Sequence, residues 1–379
     1  MSRNVMKKIR SCFSALIVGF CLTSFVACVR QPAVEAIPSM QPINSALPAK
    51  QQEIEIDFSL PSEAPINTQE AIPSPSPIEA SLEPTSVPTA DPTEEPSPDP
   101  TPEGLLGGRF SGFSTQDGFQ KTETSYTSKN VSIVVTRYDS SPLTRRLVYF
   151  VTDVHLQDLS SLRTESWDQN FGTRGEKLWM SFLKMSRRVN ALVAINGDYY
   201  TYNIHTGLVI RNGVRYAPDP WKPWKGHDIL LLYRDGTMET FHSDTFQPEA
   251  IDQENVWQAW EFGPSLLDEN GNALSSFDRS YSDINRANPR TILGYYEPGH
   301  YCFVTVDGRK SGYSNGLTLP ETAQLMESLG CKIAFNLDGG QTTQLYWNDQ
   351  MYNVPYEGGR FTSDIIYIVD VDENSQRSE

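Results

Sequence analysis

Three segments of the sequence end an apolar run with an aspartate beside a glycine. They are AINGDYY at residues 194–200, VTVDGR at 304–309 and FNLDGG at 335–340. Each run predicts a buried strand, and a strand end holds a side chain accurately because the sheet behind it is rigid. Asp198, Asp307 and Asp338 are therefore candidate catalytic carboxylates. Taken one at a time, each is also explained as a turn residue, because aspartate and glycine favour turns.

The elements that must position these aspartates are predicted after Glu103. Strands are indicated at 131–135, 147–152, 191–195, 207–211, 228–233, 291–296, 301–306, 333–337 and 365–369. Helices are indicated at 174–189 and 321–329, the second with Thr318 as N-cap and a stop at Gly330. Hairpins and a strand–helix–strand unit both occur. We therefore expect one α+β catalytic domain at 104–372, with a mixed β-sheet and flanking helices, followed by a polar tail at 373–379.

Several longer motifs occur in an order that is typical of one family. They are NGDYY at 196–200, GLVIRNG at 207–213, FGPSLLDENG at 262–271, RANPRTILGY at 286–295, VDGRKSGYSNGLTLPETAQLMESLGCKIAFNLDGGQTTQLYWN at 306–348 and GGRFTSD at 358–364. This set resembles the phosphodiester glycosidase family over roughly residues 145–371. The most specific stretch is NLDGGQTTQLYW, because a lone DGG would be a weak signal whereas the ordered set is a strong one.

The resemblance implies roles for individual residues. It implies that Asp338, Asp198 and Asp307 belong to the catalytic site, with Asp338 as the main carboxylate. The substrate-binding residues that it implies are Asn196, Gly197, Arg290, Arg309, Asn336, Gly339, Gly340, Thr342 and Thr343. The family usually continues Gly-Ser-Ser or Gly-Ser-Thr after the two glycines, whereas this chain has Gln341-Thr342-Thr343, which adds an amide side chain to the loop. For Arg290 the alternative is a salt bridge that braces the site.

The chemistry of a glycosyl phosphodiester matches these residue types. Cleavage of the sugar C1–O bond develops oxocarbenium charge, which a carboxylate can stabilise as nucleophile or base. A guanidinium can hold phosphate oxygens as a fork, and hydroxyls or glycine amides can donate hydrogen bonds to phosphate or sugar. We therefore expect a hydrolase that cleaves the glycosyl–phosphate bond of a sugar-1-phosphodiester in an envelope or environmental glycan. The alternatives are a non-catalytic glycan- or cell-wall-binding module and a metal-dependent phosphodiesterase that cuts a P–O bond.

The first 27 residues are typical of a bacterial lipoprotein signal peptide. Basic residues precede the apolar run FSALIVGFCLTSFVA at 13–27, and Phe25-Val26-Ala27-Cys28 resembles a lipobox. The run is shorter than the ~20 residues that a spanning helix needs. We expect Cys28 to carry lipid and to hold an extracytoplasmic domain at the bacterial cell membrane. A retained anchor and an ordinary signal peptide are the alternatives.

A segment rich in Pro, Ser, Thr and acids follows at residues 28–103. Residues 51–108 contain twelve acidic and no basic side chains, and all seven Trp and all seventeen Tyr follow Glu103. Such a composition cannot bury enough apolar surface to fold, so we expect a disordered tether. The formal net charge of −16 argues against a nucleic-acid partner, because phosphate backbones are bound by Lys and Arg. The substrate is therefore the expected partner, and the chain is expected to be a monomer.

The sequence requires no cofactor. Its five His show no spacing that is typical of a zinc site, and a calcium ion held by carboxylates remains compatible with it. His227 is a weaker candidate for acid–base chemistry or metal binding. Asp153 and His155 end a strand and could touch the site or cap a loop. Cys302 and Cys331 flank core strands and are compatible with a disulfide or with two buried thiols.

Replacing Cys28 with alanine should detach the domain from the membrane. The apolar run is too short to span the bilayer, so anchoring would depend on the lipid that Cys28 carries. The measurement is the distribution of the protein between membrane and soluble fractions, with Cys21→Ala as the matched control in the same leader. Unchanged membrane retention of Cys28→Ala would contradict the lipoprotein prediction.

Overall fold

The computed structural model describes residues 104–140, 146–167, 169, 171, 181–198, 208–216, 225–278, 281 and 283–371. The predicted leader, lipidation site, tether and tail lie outside these residues, as does the first part of the predicted helix at 174–189. The described part of that helix is found as α1, Phe182–Arg188. Within the described residues, no helix is long and apolar enough to cross a membrane.

Most of the regular structure consists of strands, in agreement with the many short apolar runs. The strands are β1 (Gln120–Lys121), β2 (Ser125–Thr127), β3 (Val131–Ser140), β4 (Leu147–Leu156), β5 (Leu162–Ser166), β6 (Val193–Asn196), β7 (Ile210–Arg211), β8 (Val214–Arg215), β9 (Asp228–Tyr233), β10 (Met238–His242), β11 (Val256–Phe262), β12 (Arg290–Glu297), β13 (His300–Val306), β14 (Ile333–Asn336), β15 (Leu345–Trp347), β16 (Gln350–Met351) and β17 (Asp364–Ile368). The second helix is α2, Leu319–Ser328. All of the predicted strands are present.

The strands form three sheets. A seven-stranded sheet has the order β1-β2-β3-β4-β13-β12-β14, and two five-stranded sheets have the orders β10-β9-β11-β7-β8 and β16-β15-β6-β17-β5. One large apolar cluster takes side chains from all three sheets, among them Phe303, Trp260 and Ile366. Helix α2 packs on the other face of the seven-stranded sheet, where Ala323 and Met326 join Ile292 in a second cluster. Burial of these faces fixes the strand ends on which the candidate site residues stand.

The expectation of a mixed sheet was wrong. Every pairing between the described strands is antiparallel. The strand–helix–strand unit that suggested parallel pairing is β13–α2–β14, but β12 lies between its two strands. Because β12 pairs with both of them, β13 and β14 run in the same direction without pairing, which leaves the sheet antiparallel.

Helix α2 begins and ends where the sequence predicts. The Thr318 hydroxyl accepts from the backbone N–H of Glu321, and the Glu321 carboxylate accepts from the backbone N–H of Thr318, which completes a capping box. Gly330 follows the helix with φ +79°, a conformation that glycine adopts without strain. Beneath the helix, the Sγ atoms of Cys302 and Cys331 lie 3.7 Å apart as two free, buried thiols.

Loss of the helix cap should destabilise the protein modestly. Thr318→Ala removes the acceptor for the Glu321 N–H and should lower the free energy of unfolding by about 1 kcal/mol. Thr318→Ser keeps a hydroxyl at the same place and is the matched control, with an expected change of a few tenths of a kcal/mol. Urea denaturation measures both. Equal stability of the alanine and serine variants would show that the cap does not hold the start of α2.

Candidate active site

A cavity of about 420 Å³ lies at the end of the seven-stranded sheet where β12 begins and β14 ends. Its walls carry both charged and aromatic side chains, which are the types expected in a sugar-phosphate site. The charged residues are Asp283, Arg290, Arg309, Asp338 and Arg360, and the aromatic residues are His227, Phe262, Tyr281 and Tyr356. Three guanidiniums against two carboxylates give the cavity a net positive charge in a protein whose formal net charge is −16.

Asp338 is the one of the three predicted carboxylates that lies on the cavity wall. Its side chain is 13% exposed, and its Oδ2 accepts from Nη2 of Arg360 at 2.6 Å. Burial raises the pKa of Asp338, while Arg360, the Thr342 hydroxyl and the Gly339 backbone act in the opposite direction by stabilising the anion. A carboxylate held in this way can meet positive charge in a reacting molecule.

The position of Asp338 is set by the end of β6, in a different sheet. Nδ2 of the fully buried Asn196 donates to the backbone carbonyl of Asp338 at 2.7 Å. The N–H of Asp338 in turn donates to the carbonyl of Gly197 at 3.4 Å. Oδ1 of Asn196 accepts from the Thr291 hydroxyl at 2.8 Å, which connects β6 to β12 as well. Asn196 and Gly197 therefore lie behind the cavity wall and position it.

The two glycines after Asp338 allow the loop to lie against another segment of backbone. A Cβ atom at Gly339 would stand 2.8 Å from the carbonyl oxygen of Pro289. Gly340 has φ +65°, and its N–H donates to the same carbonyl at 3.0 Å. A larger residue at Gly339 would push the loop away from Pro289, and one at Gly340 would adopt a strained positive φ and meet the Arg309 guanidinium. The close approach places Gly339 against the backbone of Pro289 and Arg290.

Arg290 is almost entirely buried, and two of its three guanidinium nitrogens are already in use. Nε donates to the carbonyl of Leu317 at 3.0 Å, and Nη2 donates to the carbonyls of Asp283 and Arg286 at 3.0 and 3.1 Å. Nη1 hydrogen-bonds to none of the described residues. Arg290 therefore offers the cavity one nitrogen, not the two of a fork. Burial lowers the pKa of Arg290 to about 10, so the group is still charged at neutral pH.

Arg309 lies on the same wall and is held from two sides. Its Nε donates to Oδ1 of Asn288 at 2.7 Å, and its Nη2 is 3.5 Å from Oδ2 of Asp283. The guanidinium carbon lies 5.5 Å from the centre of the Tyr356 ring, within the range of a cation–π interaction. These contacts fix the guanidinium before any ligand arrives, so little side-chain entropy remains to be lost on binding.

Asp198 does not reach the cavity. It is fully buried, and its Oδ1 accepts from Nη2 of Arg211 at 2.7 Å, while its Oδ2 accepts from the backbone N–H of Glu261 at 3.2 Å. The same Nη2 lies 3.5 Å from Oδ2 of Asp364, which is also fully buried. Asp198 therefore belongs to a buried cluster of two carboxylates around one guanidinium, and no local sequence pattern predicts Arg211 as its partner.

Asp307 is likewise occupied elsewhere. Its carboxylate accepts from the Tyr313 hydroxyl at 2.8 Å, from Nδ2 of Asn353 at 2.8 Å and from the backbone N–H of Val354 at 3.0 Å. Burial raises the pKa of Asp307, and these three donors oppose the shift. The residue joins the end of β13 to the segment after β16. The three predicted carboxylates consequently lie at three separate places.

The remaining predicted binding residues divide between the wall and the layer behind it. Asn336 lines the cavity, its Nδ2 donates to the carbonyl of Gly263 at 2.9 Å, and its buried Oδ1 has no partner among the described residues. Thr342 and Thr343 are buried off the wall. The Thr342 hydroxyl accepts from Nε of Arg360. Gln341, which departs from the family pattern, does line the cavity.

Sequence reasoning did not single out Arg360, although it lies in the GGRFTSD stretch that contributed to the resemblance. It also missed Asp283, Asn288 and Tyr281, which stand in loops without a chemical pattern. The Tyr281 ring stacks on His227 with centroids 5.5 Å apart, and its hydroxyl accepts from the backbone N–H of Asp228 at 2.6 Å. Burial lowers the pKa of His227, which favours the neutral imidazole.

One known family matches the part of the chain that contains this cavity. Residues 189–369 match the family described as phosphodiester glycosidase, the family that the ordered motifs resemble. The matched residues include β6, β12, β14 and the whole of the described cavity wall.

Individual relatives are distant. The SPbeta prophage-derived uncharacterized protein YomE of Bacillus subtilis is 29% identical over 175 residues, which is 46% of this chain and 26% of that protein. The chain thus spans about a quarter of that relative. The catalytic domain of zebrafish N-acetylglucosamine-1-phosphodiester alpha-N-acetylglucosaminidase, auto-inhibited by its pro-peptide, has a TM-score of 0.52 and 17% identity over 67% of this chain and 88% of that one. This similarity shows a shared fold.

The buried cluster around Arg211 should make stability depend on pH. Burial and the charge of Asp198 raise the pKa of Asp364 to about 7, whereas an unfolded aspartate titrates near ~3.9. At a pH between these two pKa values, Asp364 is protonated in the folded state and ionised in the unfolded state. The free energy of unfolding should therefore fall as the pH rises, by up to ~1.4 kcal/mol per pH unit. The loss should be complete once the pH exceeds the folded-state pKa.

Asp364→Asn removes this titration and keeps the shape of the side chain. Urea denaturation of both proteins at several pH values between 5 and 8 measures the effect. The difference in stability between wild type and variant should shift in favour of the variant as the pH rises towards 7. Parallel profiles would contradict a folded-state pKa near 7 for Asp364.

Proposed function

We propose that the domain hydrolyses the bond between the anomeric carbon and the phosphate of a sugar-1-phosphodiester in an envelope or environmental glycan, and that it does so at this cavity. The observation that carries the proposal is the place of Asp338, the predicted catalytic carboxylate, on a wall with three guanidiniums. The signal-like leader favours a lipid-anchored enzyme outside the cytoplasmic membrane. The family match supports a hydrolase of this kind.

The charges of the cavity suit a phosphodiester. The anion carries one negative charge, and the wall has one guanidinium more than it has carboxylates. Arg360 is largely committed to Asp338, whereas Nη1 of Arg290 and part of Arg309 remain available to phosphate oxygens. Charge-assisted hydrogen bonds from such groups are roughly twice as strong as neutral ones. A neutral glycoside would leave these guanidiniums without an anionic partner.

Asp338 is the proposed catalytic carboxylate. As positive charge develops at the anomeric carbon, a shielded and oriented carboxylate stabilises it more than water does, because no dipoles have to reorganise. The carboxylate can act through space or form a covalent glycosyl bond that water then hydrolyses. The phosphate departs as a stable anion, so a strong general acid is not required. Arg360 orients Asp338 and opposes the rise in its pKa that burial causes.

Aromatic side chains support a sugar ring as the second half of the substrate. Phe262, His227 and Tyr281 form a continuous wall, and the cavity of about 420 Å³ is large enough for one monosaccharide with its phosphate. The two rival functions, a glycan-binding module and a phosphodiesterase that cuts a P–O bond, make different predictions in one experiment.

The experiment is hydrolysis of sugar-1-phosphodiesters, including nucleotide sugars, by the purified chain in water labelled with heavy oxygen. Cleavage of the C–O bond puts the label into the free sugar, whereas cleavage of a P–O bond puts it into a phosphate product. Label in the sugar supports the proposal. Label in the phosphate identifies the phosphodiesterase instead, and binding of the substrates without turnover identifies a binding module.

Asp338→Asn should abolish most of the turnover and leave the fold intact. Loss of the charge should cost several orders of magnitude in rate, or more than ~4 kcal/mol in the barrier. The amide keeps the shape, and asparagine suits the same turn. Asp117→Asn, at a side chain that is 97% exposed, is the matched control and should leave turnover unchanged. Activity and melting temperature are measured for both variants.

The outcome separates catalysis from a structural role. A stable Asp338→Asn variant that keeps more than about a tenth of wild-type turnover would contradict the assignment, since the barrier would have changed by less than ~1.4 kcal/mol. A variant whose activity falls only in proportion to its folded fraction would make Asp338 a turn residue. Partial rescue by added calcium would make it a metal ligand.

A further inference from the structure

A cluster of potential metal ligands lies far from the cavity, on one face of the seven-stranded sheet. Asp153 and His155 belong to β4 and His300 begins β13, and their ligand atoms all lie within 4.8 Å of one another. Nε2 of His300 is 2.8 Å from Oδ1 of Asp153, and Nδ1 of His155 is 3.5 Å from Oδ2. Both imidazoles thus direct a nitrogen at the same carboxylate.

The strand register explains why the three side chains meet. His300 pairs directly with His155 across the antiparallel ladder, and Asp153 lies two residues from His155 on the same face. Their side chains are 12%, 22% and 39% exposed for His155, His300 and Asp153, so the cluster is accessible to a small ion from one side. The geometry comes from the buried sheet, so these ligands are placed by the fold and not by a flexible loop.

Aromatic rings lie on both sides of the two imidazoles. Phe110 stacks on His155 with centroids 3.7 Å apart, His155 stacks on His300 at 3.9 Å, and Tyr296 stacks on His300 at 4.2 Å. The four rings form a single column beside Asp153.

We propose that Asp153, His155 and His300 bind one zinc ion. Two imidazole nitrogens and one carboxylate oxygen are a ligand set that zinc accepts, with water in the fourth position of a tetrahedron. In such a site the ligand atoms are about 3.3 Å apart, from bonds of ~2.0–2.1 Å. The nitrogen-to-carboxylate separations are 2.8 and 3.5 Å, and all three ligand atoms lie within 4.8 Å of one another. Zinc binding requires the two imidazoles to turn out of their parallel stack, so that both nitrogens face the same point. The ring proton of each imidazole then occupies the nitrogen that faces away from the metal.

The zinc site is separate from the proposed hydrolysis. In β12 and β13, Glu297 pairs with His300 and Arg290 pairs with Val306, so the cluster and the cavity lie at opposite ends of the same strands. Six residues of strand correspond to about 20 Å. The ion would instead join β4 to β13, and its fourth position would stay open to water.

The test measures zinc binding by the full-length chain after treatment with a chelator. Isothermal titration with zinc chloride should give one site per chain in wild type, and zinc should raise the melting temperature whereas equal magnesium should not. Asp153→Asn and His300→Gln keep similar shapes and should weaken zinc binding at least tenfold. His242→Gln, which removes a histidine outside the cluster, is the matched control and should bind zinc as wild type does.

A second measurement uses wild type alone, so its result does not depend on how well the variants fold. Cobalt(II) substituted into wild type should show the intense visible absorption of a tetrahedral site, and added zinc should remove it. Absence of zinc binding in wild type, or equal zinc affinity in wild type and both cluster variants, would overturn the proposal and leave a hydrogen-bonded stack. Because the site lies away from the cavity, neither result depends on whether the sugar-phosphate proposal holds.

Discussion

The side-chain amide of Asn196 connects three parts of the molecule that meet behind the cavity. It stands at the end of β6, donates to the carbonyl of Asp338 after β14, and accepts from Thr291 in β12. These strands belong to two different sheets, so this one buried side chain ties the sheets at the point where the site is built. A buried amide that loses its partners costs roughly 1–3 kcal/mol per group, which makes any other arrangement of these ends unfavourable.

The cavity wall shows how a strongly acidic protein can present positive charge. Each guanidinium is bound by the surrounding protein before a ligand arrives: Arg290 by backbone carbonyls, Arg309 by Asn288, and Arg360 by Asp338. The backbone carbonyl oxygens around Arg290 offset the cost of removing its guanidinium from water. The burial that lowers the pKa of Arg290 also strengthens its interaction with an anion. Charges on an exposed surface, by contrast, are screened by salt. Local arrangement therefore governs anion binding more than net charge does.

The sequence predicted local features of the fold well and distant contacts poorly. The strands, the capping box of α2 and the loop of Asp338 depend on neighbouring residues, so periodicity and turn chemistry are sufficient to find them. The partner of Asp198 is Arg211, and that of Asp307 is Asn353, 46 residues away. No local sequence pattern predicts such a pairing. In the sequence, a strand-end aspartate that points into the interior therefore cannot be told from one that points into a cavity.

Dependence on distant contacts also explains why the sequence did not predict the strand order or the histidine cluster. The order β13-β12-β14 depends on which strand packs beneath α2. That choice is set by the packing of the whole sheet and not by any local sequence pattern. His155 and His300 are 145 residues apart in the chain yet directly opposite in the register, so spacing rules for metal ligands cannot find them. Arg360 could be noticed only through its place in a longer motif.

The described chain begins at the end of the seven-stranded sheet that lies opposite the cavity. The N–H of Leu105 donates to the carbonyl of Gln157 at 3.0 Å, just beyond the end of β4 that carries His155. The cavity lies at the other end of the same sheet, about one strand length away. A fusion partner or an immobilising tag attached at the N-terminal end of the described domain would therefore leave the cavity wall untouched.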